Sequence, residues 1–362
     1  MNETYCIIMA GGIGSRFWPL SKTTRPKQFI DILGTGETLI QQTYRRLSKI
    51  CPKEHFLVVT NLDYREMVLG QLPELNEEQI LCEPLRRNTA PCIAYACHKI
   101  MRNNPEANIL VAPSDHLITH EDEFLAQLKN GLAFVEKNNA LLTLGIKPNR
   151  PETGYGYIQI NGQTHWEGIS NLYQVKTFTE KPDLKMARVF VDSGEFFWNS
   201  GIFIWSLTSI MHAFRTYLPE VHELFSKGEK YYFTREEKAF LNKTYSECPN
   251  ISIDYGIMEK AQNVYVLCAD FGWSDLGTWG SLWDNSQKDE NGNSVKGNNV
   301  QLYESRNCIV NVADEKLVVA QGLDGYIVVE ADNILLICRK EDEQQIRQFV
   351  NDVRINKGDQ YV

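Results

Sequence analysis

The chain has 362 residues and a formal net charge of -9, with no basic tract, which argues against attachment to nucleic acid or an anionic membrane by bulk charge. Its length favours one large domain with a smaller second one. The nine cysteines include no Cys-x-x-Cys pair, which gives little support for a disulfide framework or a zinc site. The N-terminus lacks the basic region of a signal peptide, and no stretch reaches the ~20 apolar residues of a membrane helix. We therefore expect a cytoplasmic protein.

Short apolar runs alternate with stretches of helical spacing in the N-terminal part of the chain. The apolar runs are residues 5–10, 56–60, 109–112 and 141–146, and the clearest helical stretches are 39–50 and 90–101. This alternation predicts an α/β fold with a largely parallel, doubly wound sheet. Ligands of such sheets bind at the carboxyl ends of the strands, so the loops there are the places to look for chemistry.

The pattern changes beyond about residue 285, where turn-forming Asn and Gly residues separate short β-rich segments. No long helix interrupts these segments until residues 341–353. They predict a small second domain, which is either a β-helix of a few coils or a compact β-roll. We therefore divide the chain into a catalytic domain, residues 1–285, and a C-terminal domain, residues 286–362.

A glycine-rich loop follows the first predicted strand, in the string from residue 9 to residue 20. A dinucleotide fingerprint is excluded because Phe17 stands where glycine or alanine is required, and the Gly-Lys-Ser/Thr of a Walker loop is missing. Arg16 lies inside the loop and Lys27 follows it. Backbone N–H groups free of Cβ atoms, with two cations, suit a triphosphate. A tight turn with two solvated basic residues is the alternative.

Two aspartates follow predicted strands: Asp115 comes after the run 109–112, and Asp275 comes after the run 264–268. Mg²⁺ prefers oxygen ligands and commonly uses one or two carboxylates together with substrate phosphates. A single aspartate in this position is more often a turn former or a helix cap. The pair therefore predicts a magnesium site only in combination with the other motifs. We expect His116 to orient its neighbours rather than to ligate the metal.

Three further strings carry groups that suit a phosphorylated sugar: residues 152–157, 178–182 and 198–203. Carboxylate and amide groups suit sugar hydroxyls, whereas a lysine suits a phosphate. Taken singly, each string has a structural alternative, because Glu-Lys-Pro is a common surface tripeptide and the aromatic run could be core packing.

In combination, seven strings in sequence order resemble the mannose-1-phosphate guanylyltransferase family, within the wider sugar-1-phosphate nucleotidyltransferases. The strings are residues 11–28, 83–91, 113–116, 180–182, 198–201, 254–260 and 272–279. The resemblance implies a Rossmann-like core with a mainly parallel mixed sheet, followed by a small left-handed β-helix that often makes subunit contacts. It also implies GTP and mannose-1-phosphate as substrates, Mg²⁺ as cofactor, a homodimer, and the products GDP-mannose and pyrophosphate.

The resemblance also implies roles for individual residues. The residues expected along the nucleotide phosphates are Gly11, Gly12, Gly14 and Ser15. Those expected near the base and ribose are Glu83, Asn88 and Thr89. Those expected to contact the hexose are Gly156, Glu180 and Asn199, and Lys181 is expected on its phosphate. The expected catalytic groups are Arg16 and Lys27, which would neutralise phosphate charge, and Asp115 and Asp275, which would hold magnesium.

Some alternatives remain at this level. No string specifies the direction of a sugar hydroxyl, so guanylyl transfer to a heptose phosphate and adenylyl or thymidylyl transfer to glucose-1-phosphate stay open. A nicotinamide dehydrogenase is disfavoured by Phe17, and a non-catalytic homologue is disfavoured because Arg16, Lys27 and both aspartates are present. Many relatives carry an additional isomerase domain, for which the present sequence leaves no room, so isomerase activity is not expected.

Overall fold

The computed structural model describes residues 2–161 and 169–362, and its contacts divide the chain into two compact units. The first unit, called the sheet unit here, comprises Met1–Gly11, Thr43–Ser114 and Ile118–Trp273. The second, called the loop unit, comprises Gly12–Gln42, Asp115–Leu117 and Ser274–Val362. The glycine-rich loop is therefore grouped with the C-terminal part of the chain. No helix in the described ranges is long and apolar enough to cross a membrane.

The helices and strands of the described residues have the following bounds. The helices are α1 (Leu39–Leu47), α2 (Arg65–Gln71), α3 (Thr89–Asn103), α4 (Glu121–Val135), α5 (Leu184–Ser193), α6 (Leu207–Tyr217), α7 (Pro219–Ser226), α8 (Glu237–Glu247), α9 (Trp279–Asp284) and α10 (Ile346–Lys357). The strands are β1 (Thr4–Met9), β2 (Phe56–Asn61), β3 (Ile80–Glu83), β4 (Asn108–Pro113), β5 (Leu117–Ile118), β6 (Leu141–Ile146), β7 (Gly156–Ile160), β8 (Leu172–Glu180), β9 (Phe196–Ser206), β10 (Val264–Cys268), β11 (Trp273–Ser274), β12 (Ser294–Lys296), β13 (Val300–Tyr303), β14 (Ile309–Asn311), β15 (Val318–Gln321), β16 (Tyr326–Ala331) and β17 (Ile334–Arg339).

The sheet unit is built on a nine-stranded sheet of order β3-β2-β1-β4-β9-β6-β10-β8-β7. β1 pairs in parallel with β2 and β4, β2 with β3, and β6 with β10. β9 is inserted antiparallel between β4 and β6, and β8 runs antiparallel to β10. The prediction of an α/β core with a mixed sheet is confirmed: the half β3-β2-β1-β4 is parallel, and antiparallel pairings predominate in the other half.

The central strands are continuous apolar runs because helices cover both faces of a doubly wound sheet. Every residue of β6 is buried, and α3 is buried from Ala90 to Ile100. α3 starts at Asn88, whose side-chain oxygen accepts the N–H of Thr89 at 3.0 Å. Small side chains such as Ala94 and Ala96 allow this helix to lie close to the sheet, within the large apolar core of the unit.

The C-terminal strands stack as a β-helix. β12, β14 and β16 form one parallel ladder, and β13 and β15 form a second. Ser294 pairs with Ile309, Ile309 with Ile327, and Val300 with Val318, so successive coils take 15 and 18 residues in the first ladder and 18 in the second. β17 pairs antiparallel with β16. The stacking of successive coils in two parallel ladders decides between the two sequence-based alternatives in favour of the β-helix.

In the loop unit, α10 and the last residues of the chain pack against the glycine-rich loop. Ile346 of α10 shares an apolar cluster with Phe17 and Trp18 of the loop. The indole N–H of Trp18 donates to the carbonyl of Tyr361 at 2.8 Å. Residues about 330 positions apart in sequence therefore form one apolar core, against which the glycine-rich loop packs.

A glycine on α4 provides a test of how closely this helix packs on the sheet. A Cβ atom added at Gly131 would lie 2.6 Å from Cδ1 of Ile204 and 2.8 Å from Cδ2 of Leu142. Helix propensity alone would favour alanine by roughly 1 kcal/mol, but overpacking costs about 1–3 kcal/mol. We expect Gly131→Ala to lower the urea midpoint of unfolding. Gly70→Ala on α2 is the matched control. A Cβ atom there would meet no other part of the protein within 4 Å, so this substitution should leave the midpoint unchanged or raise it. A midpoint for Gly131→Ala at or above that of the wild type would contradict the packing.

Candidate active site

The glycine-rich loop is shaped by one left-handed residue and by a buried lysine. Gly14 has φ of 72°, and a Cβ atom there would lie 2.5 Å from Cβ of Lys27. Only glycine meets both conditions without strain. The Ser21 hydroxyl donates to the Gly14 carbonyl at 2.6 Å, and the N–H of Lys27 donates to the carbonyl of Ile13 at 3.1 Å. The two halves of the loop are thus bonded to each other.

Lys27 is the central side chain of this part of the molecule and is only 3% exposed. Its ammonium lies 2.7 Å from Oδ2 of Asp115 and donates to the carbonyls of Asp275 at 2.8 Å and Leu276 at 3.1 Å. These three acceptors match the three N–H donors of an ammonium group. Lys27 therefore brings together the loop, Asp115 and the segment that carries Asp275, all within the loop unit.

Asp115 is held as a carboxylate. Burial raises its pKa, but the charge of Lys27, followed by that of His116 and by the hydrogen bond from Lys27, lowers the pKa below its usual value overall. The side chain is still 30% exposed, and His116 Nε2 lies 4.0 Å from its Oδ1. Asp115 is therefore available to a ligand while it is anchored by one oxygen.

Asp275 lies in a tight turn in which its Oδ1 accepts the N–H of Gly277 at 2.9 Å. A Cβ atom at Gly277 would collide with the same carboxylate, so a side chain there would displace the Asp275 carboxylate from this position. Within residues 2–161 and 169–362, no group of three or more His, Cys, Asp or Glu side chains is placed to hold a metal ion. A cation on Asp115 and Asp275 would consequently take its other ligands from substrate and water.

Arg16 lies on the short 3₁₀ turn Ser15–Phe17, against which α10 packs. Arg347 of α10 is close enough for its pKa to be lowered, first by burial and then by the charge of Arg16. Two guanidinium groups in proximity repel each other, and a bound anion would relieve that repulsion. Sequence analysis missed Arg347, because nothing in the local sequence of α10 links it to a loop more than 300 residues earlier.

In the sheet unit, Glu83 at the end of β3 forms a buried acidic group beside the start of the glycine-rich loop. Glu83 is 6% exposed, and a Cβ atom at Gly11 would lie 3.6 Å from its Oε2. Burial raises the pKa of Glu83 to about 8, against the opposing effects of the hydrogen bond with Tyr245 and the charge of Arg86. Its Oε1 is buried and has no hydrogen-bond partner among the described residues. A buried orphan oxygen of this kind is expected where a ligand supplies the partner.

Asn88 and Thr89 have local structural partners. Asn88 has φ of 69° and caps α3, and the Thr89 hydroxyl accepts the N–H of Ile253 at 2.9 Å. Asn88 and Thr89, which the family resemblance places near the base and ribose, thus use their side-chain oxygens as acceptors within the protein. These side chains therefore anchor the start of α3.

The four residues predicted for the hexose phosphate come together in the sheet unit. A Cβ atom at Gly156 would collide with Oε2 of Glu180 and would lie 3.3 Å from Cβ of Asn199. Lys181 forms an ion pair with Glu180 and has φ of 48°. Gly156 pairs with Glu180 across β7 and β8, which explains why residues far apart in sequence converge. A carboxylate, an amide and an ammonium thus occupy one small region.

Asp254 belongs to this group and was missed as a site residue by sequence analysis. Its Oδ1 accepts the side-chain N–H of Asn199 at 2.9 Å. The string that contains it contributed to the family resemblance, but no chemical role followed from its neighbours in sequence. The signal that could have identified it is an aspartate at a mostly apolar, buried turn, 253–258, where an uncompensated carboxyl is costly.

The predicted site residues therefore fall into two groups, each within one unit. The loop unit contains Gly12, Gly14, Ser15, Arg16, Lys27, Asp115 and Asp275. The sheet unit contains Gly11, Glu83, Asn88, Thr89, Gly156, Glu180, Lys181 and Asn199. The chain passes directly from one group to the other between Gly11 and Gly12.

Comparisons with known proteins identify the family of the chain. The profile of the family described as nucleotidyl transferase matches residues 5–292, and that of the MannoseP isomerase/GMP-like beta-helix domain matches residues 297–353. A mannose-1-phosphate guanylyltransferase of Klebsiella pneumoniae is 35% identical over 358 residues, which cover 98% of this chain and 75% of that protein. The chain belongs to the mannose-1-phosphate guanylyltransferase family.

Two further relatives support the same membership. The alginate biosynthesis protein AlgA of Pseudomonas syringae pv. tomato is 39% identical over 350 residues, which cover 95% of this chain and 70% of that protein. The crystal structure described as a mannose-1-phosphate geranyltransferase of Thermus thermophilus has a TM-score of 0.86 and 30% identity, and the match covers 97% of this chain and 99% of that one. The sequence-based recognition of the mannose-1-phosphate guanylyltransferase family is confirmed.

The buried Lys27–Asp115 pair of this guanylyltransferase-family chain can be tested through stability. Lys27→Met leaves Asp115 and two carbonyls without their donor, and since Asp115 is partly exposed we expect a loss of about 1–3 kcal/mol at pH 7. The folded pKa of Asp115 is depressed, so its stabilising effect is present above the unfolded pKa of ~3.9 and is lost as the pH falls through the folded pKa. The difference between the variant and the wild type in urea unfolding should therefore persist from pH 7 down to about pH 4 and shrink below that pH.

Lys22→Met is the control for this experiment. Lys22 lies 2.5 Å from Asp332, whose side chain is 71% exposed, so removal of this surface pair should change stability by only ~0–1 kcal/mol. Equal losses for the two variants would contradict a special role for Lys27.

Proposed function

We propose that the protein transfers GMP from GTP to mannose-1-phosphate, giving GDP-mannose and pyrophosphate. An oxygen of the sugar phosphate attacks the α-phosphorus in line, and pyrophosphate leaves. The nucleophile is already an anion, so the reaction needs positioning and charge neutralisation rather than a strong general base. The observation that carries the proposal is the similarity to mannose-1-phosphate guanylyltransferases, which runs through both units of the chain.

The triphosphate contacts are assigned to the glycine-rich loop. The backbone N–H groups of Gly11, Gly12, Gly14 and Ser15 would meet phosphate oxygens, and Arg16 would carry the forked, charge-assisted contact. Lys27 is bonded to Asp115 and to the carbonyls after Ser274, so it acts by fixing the positions of the loop and of the carboxylate as well as by its charge. Arg347 adds positive charge beside Arg16.

Magnesium is assigned to Asp115 and Asp275. The donor set fits this ion, because both side chains offer carboxylate oxygens and Asp115 remains a carboxylate at neutral pH. Bound there, Mg²⁺ would supply additional positive charge against the phosphate oxygens. The chain fixes the two carboxylates separately, through Lys27 on Asp115 and Gly277 on Asp275.

The base is assigned to Glu83, and this assignment favours guanine. The guanine edge carries an N–H and an adjacent NH₂ group, and a carboxylate accepts from both. The buried Oε1 of Glu83, which has no hydrogen-bond partner among the described residues, can accept from such a donor. Adenine presents a ring acceptor at the corresponding position, which an ionised Glu83 repels and to which only a protonated Glu83 can donate.

The hexose is assigned to Gly156, Glu180 and Asn199, with Lys181 on the phosphate. Glu180 accepts from sugar hydroxyls, and the small size of Gly156 leaves the space that a side chain would take from the Glu180 carboxylate. Asn88 and Thr89 support the base and ribose region through the start of α3.

Two properties of the whole protein are also proposed. Exposed apolar side chains on the β-helix, including Leu317 at 67% and Val319 at 60% exposure, support a homodimer that covers this surface. Nine free cysteines support residence in the reducing cytoplasm. Sedimentation velocity of the full chain tests the first proposal, with a monomer at micromolar concentration as the contradicting result.

A substrate panel tests the proposed reaction. The purified full chain is assayed by pyrophosphate release with GTP, ATP, dTTP and CTP, each against mannose-1-phosphate, glucose-1-phosphate and a heptose-1-phosphate, with magnesium or with EDTA. We expect the highest kcat/KM for GTP with mannose-1-phosphate, and no turnover in EDTA. Preference for another pair would replace the proposed substrates, and full activity in EDTA would remove the metal assignment.

The pH dependence of GTP binding tests the role of Glu83. The free protein holds Glu83 with a pKa of about 8, and guanine requires the carboxylate, so below that pH binding must release a proton. The KM for GTP should fall up to about tenfold per pH unit as the pH rises from 6 to 8, and should then level off. Glu83→Gln, which cannot ionise, should lose this dependence and raise the KM at pH 8.5 by about tenfold or more. Glu78→Gln, an exposed neighbour, is the control, and an unchanged pH profile in Glu83→Gln would exclude Glu83 from base recognition.

A further inference from the structure

Asp254 fixes the orientation of the amide of Asn199. The Asn199 side-chain nitrogen donates to Oδ1 of Asp254 at 2.9 Å, and its oxygen accepts the hydroxyl of Thr143 at 2.8 Å. Thr143 is fully buried, and its hydroxyl is also within 3.0 Å of the carbonyl of Ile202. Because both ends of the amide are bonded to the protein, Asn199 has one remaining N–H donor, and its direction is set by Asp254.

Residues at and next to the turn that contains Asp254 also form hydrogen bonds with the backbone of Glu180. Residues Asp254–Met258 form a π-helical turn. The N–H of Glu180 donates to Oε1 of Glu259 at 3.0 Å, and the hydroxyl of Tyr255 donates to the carbonyl of Glu180 at 3.4 Å. π-Helical turns are uncommon and occur frequently at functional sites. The turn therefore contacts both residues assigned to the hexose hydroxyls.

Two charged side chains, those of Glu180 and Lys181, act on the Asp254 carboxyl. Burial, and after it the carboxylate of Glu180, raise the pKa of Asp254 to about 7, while the charge of Lys181 opposes this rise. Glu259, next to the turn, faces the backbone N–H of Glu180. At the end of α6, on the other side, Leu218 packs where a side chain at Gly256 would lie, and β9 contributes the neutral amide of Asn199. Glu180 and Lys181 are thus the charged groups that act on the Asp254 carboxyl.

We propose that Asp254 is a positioning residue for the sugar-phosphate substrate: it orients the Asn199 amide, and the turn that carries it fixes the backbone of Glu180. This inference rests on the proposed function and adds a residue to its hexose site. When Asp254 loses its proton, two carboxylates act on each other in one buried region, and the hold on the sugar weakens.

The test compares steady-state kinetics of the full chain with Asp254→Leu and Asp254→Asn between pH 6 and 8.5. Asp254→Leu removes the acceptor of the Asn199 amide, so the KM for the sugar phosphate should rise about tenfold or more at every pH. Its kcat and its KM for GTP should change by less than about threefold, because the loop that binds the triphosphate is untouched.

Asp254→Asn keeps an oxygen acceptor but cannot ionise. At pH 6 its KM for the sugar phosphate should lie within about threefold of the wild-type value. The wild-type KM should rise between pH 6 and 8.5, and this rise should be absent in Asp254→Asn. Since the substrate phosphate titrates near pH 6 in both proteins, the comparison between them isolates the contribution of Asp254.

Asp192→Asn, an exposed aspartate on α5, is the matched control and should behave as the wild type. Thermal melting of each variant separates loss of folding from loss of binding. The inference is overturned if Asp254→Leu leaves the KM for the sugar phosphate within twofold, if it affects GTP and sugar equally, or if Asp254→Asn keeps the wild-type pH profile.

Failure of the proposed function would be seen elsewhere, in the wild type. The kinetics use whichever nucleotide and sugar phosphate the wild-type chain turns over best in the substrate panel. A wild type that prefers another pair refutes the proposed substrates and still allows the Asp254 variants to be compared on that pair.

Discussion

The glycine-rich loop depends on the interactions of one buried group, the ammonium of Lys27. A buried charge is tolerated only when it is paired and fully hydrogen-bonded, and here one carboxylate and two carbonyls satisfy it. The geometry then constrains its neighbours: position 14 must be glycine because the lysine stem passes beside it, and the turn after Ser274 must present its carbonyls inward. The loop, the Asp115 carboxylate and the segment after Ser274 are thus held by one side chain.

An acidic protein that handles two polyanionic substrates must concentrate its positive charge. The net charge of -9 is distributed over the chain, whereas Arg347 lies close enough to Arg16 of the glycine-rich loop for the charge of Arg16 to lower its pKa. The region assigned to the hexose differs in character. It combines a neutral amide, a carboxylate paired with the Lys181 ammonium, and a carboxyl of raised pKa, which are groups that form directional hydrogen bonds.

Much of the fold could be predicted from sequence because its signals are local. The run 141–146 and the strand Val264–Cys268 are found as predicted, since a strand buried on both faces must be continuously apolar. The antiparallel insertion of β9 between β4 and β6 could not be predicted, because an apolar strand of this kind carries no mark of its direction. The coil length of the C-terminal β-helix was equally hidden, since short irregular strands have no strict period in sequence.

The sequence by itself determined the family, the strand-and-helix pattern and the candidate site residues, because glycine loops and strand-end carboxylates occur in short contiguous strings. Only the tertiary structure decided how those residues are held: that Lys27 meets Asp115, that α10 brings Arg347 to Arg16, and that Asp254 orients Asn199. The physical reason is that a hydrogen bond or an ion pair acts over a few ångströms in space, whatever the separation along the chain. Partners that are dozens to hundreds of residues apart therefore become visible only once the backbone is folded.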